Sequence, residues 1–200
     1  MVTSSSRFLA GQIMDKNFMT AIYRSKQTVF TLRDLSVILG KKNYDNLKRT
    51  VNYYIKKGVL HNLRRGFYMK DDFDPFELAV KIYPPAYIGF ETVLFKEGVI
   101  FQYNPTIAVA SYLSREIEVG TYLFKYTKLK GTVLSSPEGL VFKDFYVLAG
   151  KERAFLDILY LNKDFYVDHA ARLNKKRLLA IVKIYDNHSL EKKVKELFNA

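Results

Sequence analysis

The stretch "KDDFDPF", residues 70–76, constrains this chain more than any other. Three aspartates and a proline in seven positions break any regular element, because proline has no backbone N–H and aspartate favours turns. The sign of the charge changes at the same place. Residues 1–70 carry 14 Lys+Arg against 3 Asp+Glu, residues 71–150 carry 7 against 10, and residues 151–200 carry 11 against 7. Nearly all of the net +12 therefore sits in the first third. A chain of 200 residues divided in this way reads as two domains, 1–73 and 74–200. The expectation of a polyanionic partner belongs to the first of them.

In that first domain, Ile13, Met14, Phe18, Ala21 and Ile22 fall near helical spacing and predict a helix over about 13–25. Thr31 and Asp34 form a capping-box pair ahead of the apolar face Leu32, Leu35, Ile38 and Leu39, and Gly40 closes this second helix. The third helix is "KKNYDNLKRTVNYYIKKG", residues 41–58. Asn43 is its expected N-cap, and Leu47, Val51, Tyr54 and Ile55 make one apolar stripe. At about 100° per residue the opposite face carries Lys42, Asp45, Arg49, Asn52, Tyr53 and Lys56, with Asn46 and Lys48 on the flanks. After Gly58, "VLHNLRRGFYMK" reads as a hairpin turning at Arg64-Arg65-Gly66.

Three helices followed by a basic hairpin predict a winged helix-turn-helix whose third helix enters the major groove of duplex DNA. Arg49 and the amides of Asn43, Asn46 and Asn52 suit base edges, since guanidinium pairs with guanine and an amide with adenine. Lys41, Lys42, Lys48, Lys56 and the tip residues Arg64 and Arg65 suit phosphates, the tip alternatively entering the minor groove, and Tyr53 stands on the exposed face of the helix. A competing expectation is a protein-interaction adaptor, because any amphipathic helix shows water a charged face. His61 carries no role beyond a contact from the hairpin.

The second domain is expected to be α+β, with helices first, then an antiparallel strand group, then C-terminal helices. Helices are predicted near 75–82 and 90–97, and strands in "PTIAVASYL", "REIEVGTYLFKYTKL" and "GLVFKDFYVLAG". "KERAFLDILYL" has helical spacing with Ala154, Phe155, Ile158, Leu159 and Leu161 facing inward. Two more helices follow over 174–185, capped by Asn174, and 189–198, capped by Ser189.

No catalytic residue, no metal ligand set and no cofactor is expected. Cysteine is absent, and His61, His169 and His188 form neither HxH nor HExxH. There is no phosphate-binding loop and no GxGxxG. Lys151, Glu152, Arg153 and Asp157 lie within seven positions, but Arg153 and Asp157 are spaced for an ordinary helical ion pair. Asp71, Asp72, Asp74 and Glu77 read as a solvated junction, or alternatively as acids that lie against the basic helix when DNA is absent. No window approaches about 18 consecutive apolar residues, so a cytoplasmic protein with no membrane partner is expected.

The winged helix, then "DPFELA", "YPPAYIGFETVLFKEGVI", "IAVAS", "EVGTYLFKYTKL" and "LAGKERAFLDILY", in this order and spacing, resemble the AbiEi-type antitoxins of type IV, abortive-infection toxin-antitoxin systems. The resemblance covers about residues 13–165. It implies a transcriptional repressor whose N-terminal domain binds its own promoter. It also implies a second domain that counteracts a nucleotidyltransferase-like toxin, without a stable complex between the two, in antiviral defence. A stand-alone regulator with no toxin partner is the alternative within the same class.

Overall fold

The structure, a computed structural model, describes residues 18–40, 43–162 and 165–197. Its contacts divide the chain into two compact units, Met1–Asp74 and Pro75–Ala200.

In the first unit the described part of α1 spans 18–24, and β1 (Val29–Thr31), α2 (Leu32–Ile38), α3 (Tyr44–Lys56), β2 (His61–Arg64) and β3 (Phe67–Met69) follow. Residues 13–17 of the expected first helix lie outside the described residues. Thr31 and Asp34 make the capping box in full: Thr31 Oγ1 accepts from Asp34 N at 3.2 Å, and Asp34 Oδ2 accepts from Thr31 N at 2.8 Å. The three helices enclose a core of Phe18, Ile22, Phe30, Leu35, Leu47, Val51, Tyr54 and Leu60. Phe18 and Tyr54 lie face to face in it, centroids 3.8 Å apart and planes 7° from parallel.

β2 and β3 form an antiparallel hairpin, and β1 adds to the other side of β3, giving the order β1-β3-β2. "VFT" of β1 has too few residues to show a period, so nothing local to it predicts a strand. It is one because Met69, Tyr68 and Phe67 supply its ladder. The hairpin turn needs Gly66, whose φ of +88° is a conformation side chains with a Cβ rarely adopt.

The second unit begins with α4 (Pro75–Ile82), β4 (Ala86–Ile88) and α5 (Phe90–Lys96). β5 (Ile107–Ser111), β6 (Arg115–Val119), β7 (Tyr122–Lys128) and α6 (Gly131–Leu134) follow, then β8 (Leu140–Phe142) and β9 (Val147–Ala149). The chain ends with α7 (Lys151–Leu161), 3-10 turns at Ala170–Arg172 and Val182–Tyr185, α8 (Lys175–Ile181) and α9 (His188–Glu196).

Six strands make one sheet in the order β6-β7-β5-β4-β9-β8. It is mixed rather than antiparallel as expected. β7 hairpins from β6 yet inserts beside β5, parallel to it, and β9 runs parallel to β4. Side-chain alternation reports which face a residue takes, not which strand lies beside it, so direction was invisible in the pattern. β5 is buried at all five positions, as a central strand covered on both faces must be. α5 and α7 pack against each other, with α8 against α7.

Two end details differ from the sequence expectation. Ser189 lies inside α9, and Asn187 is the cap, its Oδ1 accepting from Leu190 N at 3.0 Å. Asp186, with φ of +47°, turns the chain just ahead of it. Leu161, expected inward, is exposed at the last position of α7. No described helix is long and apolar enough to cross a membrane.

Candidate nucleic-acid interface

α3 is oriented by its apolar stripe. Leu47, Val51 and Tyr54 are buried and Ile55 is half-buried against the core of the first unit, so the other side of the helix must face water. Asn43 starts it. Its Oδ1 accepts from Asp45 N and Asn46 N, both at 3.1 Å, so this side chain is committed to capping and only its amide nitrogen remains for a ligand. Thr50 Oγ1 donates to Asn46 O at 2.9 Å, on the helix itself.

Asn46, Lys48, Arg49, Asn52, Tyr53 and Lys56 are all exposed. Among the described residues, no ion pair or hydrogen bond engages the side chains of Lys48, Arg49, Asn52 or Lys56. These exposed groups are left to water and keep their donors open to an outside molecule. Tyr53 meets Tyr54 edge-on at 5.2 Å, and Lys57 Nζ lies 5.3 Å from the Tyr53 ring. Lys57 was not among the expected contacts, although its i, i+4 spacing from Tyr53 was the signal for it. Lys41 and Lys42 lie outside the described residues.

The hairpin carries the remaining expected contacts. Arg65 is exposed at the turn and Arg64 is half-buried beside it. Asn62 braces this turn from within, donating its Nδ2 to Arg64 O at 3.1 Å and to Phe67 O at 2.7 Å. His61, expected at most to make a contact from the hairpin, hydrogen-bonds Asp71. The expected solvated junction also divides: Asp71 and Asp72 are exposed, whereas Glu77 is buried in α4 and paired with Lys81 at 3.0 Å. Pro75 begins that helix, which places Glu77 one turn ahead of Lys81.

In the second unit the Arg153–Asp157 pair is not the ordinary surface pair its spacing implied, for both side chains have no exposed area. Arg153 Nε donates to Asp157 Oδ1 at 3.2 Å, and its two terminal nitrogens donate to Glu138 O, Val133 O and the Tyr87 hydroxyl. Tyr87 and Tyr185 donate to the two oxygens of Asp157 at 2.7 and 2.6 Å. Burial pushes the Asp157 carboxyl up, and Arg153 and the two hydroxyls offset only part of that rise. Burial also opposes the charge on Arg153, but Asp157 beside it leaves the guanidinium more firmly protonated than usual. Every member is satisfied within the protein, so the cluster clamps α7 to β4, α6 and the 3-10 turn and offers nothing to a substrate. Among the described residues no group of three or more His, Asp or Glu could hold a metal ion.

No protein-family model and no curated protein matches the chain. Among solved structures, the crystal structure of the RV2827C protein from Mycobacterium tuberculosis matches it with a TM-score of 0.54 at 11% identity. The match covers 94% of this chain and 81% of that one. At that identity the likeness speaks to the α+β fold alone.

Proposed function

We propose that this chain is a duplex-DNA-binding transcriptional repressor that acts as the antitoxin of a type IV toxin-antitoxin system. The first unit is read as a winged helix-turn-helix. The order of α1, β1, α2, α3 and the β2–β3 hairpin supports that reading, with α3 as the recognition helix and the hairpin as the wing. One observation carries it: α3 exposes Lys48, Arg49, Asn52 and Lys56 on the side away from its buried stripe, with no partner of their own among the described residues.

Arg49 and Asn52 are then the base readers and Lys48, Lys56, Arg64 and Arg65 the phosphate contacts. The antitoxin half of the proposal rests on the ordered motif resemblance and makes the second unit the part that counteracts a nucleotidyltransferase-like toxin.

A reporter gene behind the chain's own upstream region tests the repressor role. Supplying the protein in trans should lower expression, and Arg49→Ala should restore it. Expression indifferent to the wild-type protein would refute autoregulation. Growth rescue on co-expression with a nucleotidyltransferase encoded beside it tests the antitoxin role separately.

A further inference from the structure

The second unit holds a cavity of about 520 Å³ that has no part in the reading above, within the size range of pockets that take a ligand group. Phe101, Tyr103, Phe165 and Tyr166 line it together with two carboxylates, Glu91 and Asp168. Ring faces carry negative quadrupole density and carboxylates carry formal negative charge, so walls and acids attract the same kind of guest, a cation. The carboxylates also repel phosphate.

The lining is held in place. Asp168 Oδ2 accepts from Phe101 N at 2.8 Å, the Phe101 ring stands edge-on to His169 at 4.6 Å, and the Tyr103 ring packs on Phe95 at 5.3 Å. Nearby cations are directed elsewhere. Lys96 Nζ lies 5.5 Å from the Phe76 ring, and Arg172 Nη1 donates to Glu97 O at 3.2 Å. Among the described residues neither Glu91 nor Asp168 has an ion-pair partner.

The form of the guest follows from exposure. Phe101 is 63% exposed, Tyr103 67% and Tyr166 81%, which is too open to enclose a small free ion. So much ring surface left in water fits a larger body that covers it. We propose that this recess receives an arginine side chain of a partner protein, its guanidinium facing Glu91 and Asp168 and its flat face against the tyrosine rings. The proposal concerns the second unit alone and does not depend on DNA binding by the first.

Titration of the isotope-labelled full chain, followed by amide NMR, tests it with three probes: a blocked Arg-Arg dipeptide, its neutral citrulline-citrulline counterpart, and spermidine. The Arg-Arg dipeptide should give saturable millimolar shifts confined to residues around 91, 100–105 and 165–168, with no binding of the citrulline form. Glu91→Gln and Tyr103→Ala should each weaken that binding by about fivefold or more, while the remaining cross-peaks show the fold intact. Absence of saturable shifts, equal binding of the citrulline peptide, or insensitivity to both variants would overturn the proposal. Tighter binding of spermidine than of the dipeptide would overturn the partner-protein source.

Discussion

The guanidinium of Arg153 makes four hydrogen bonds inside the second unit, whereas that of Arg49 makes none among the described residues. Removing each should therefore have opposite consequences. Arg153→Met leaves Asp157 buried without its cation and should cost about 3–5 kcal/mol in urea unfolding. Arg49→Ala should leave stability within about 0.5 kcal/mol but cost about 1–3 kcal/mol in DNA binding, with relaxed sequence preference. Spacing alone paired Arg153 with Asp157 and put Arg49 on an outer face. It did not show that Arg153 is buried. The clue lay in the neighbouring "AFLDILYL", whose apolar residues run almost all round the helix and so require α7 to be enclosed.

Among the elements, those whose ends are fixed by local chemistry were the most legible. Asn43 caps α3 because an amide oxygen can reach the bare N–H groups of the first turn, whatever the rest of the fold does. Asn43→Ala should lower the melting stability by about 1 kcal/mol and Asn43→Ser by less, which differential calorimetry of the two variants can resolve. If both lose DNA affinity equally, the amide nitrogen of Asn43 is itself the contact; if only Asn43→Ala does, the cap's service to α3 is the cause, because serine preserves the helix start. β1 and the parallel pairings of β5 with β7 and β4 with β9 were not legible, because each depends on a partner strand distant in sequence. The exposed face of α3 was legible since a single periodicity assigns the buried stripe and, by exclusion, the side left in water.

Over the whole molecule, the charge and the buried tyrosines set the response to solution conditions. Burial first, and the Asp157 charge second, raise the phenols of Tyr87 and Tyr185 well above their ordinary value of 10.0. The folded chain keeps two protons that the unfolded chain releases, so this stability is complete below pH 10 and lost as pH rises beyond it. Melts between about pH 8 and pH 11 should show stability falling above pH 10 by up to ~2.7 kcal/mol per pH unit. A melting temperature flat across that range would contradict the buried, protonated state of the pair.

The charge makes the complementary prediction for binding. On the proposed reading, Lys48, Lys56, Arg64 and Arg65 on four phosphates should give log K a slope of about −3.6 against log salt, and Lys48→Ala should flatten it by about 1. Fluorescence anisotropy of the full chain on its own upstream duplex, beside a shuffled duplex of equal length, across a salt series, reads this directly. The account predicts tighter binding to the native sequence, a slope of about −3.6 or steeper, and an advantage for the native sequence that shrinks in Arg49→Ala. Equal affinity for both duplexes, unchanged by Arg49→Ala, or affinity indifferent to salt, would contradict it.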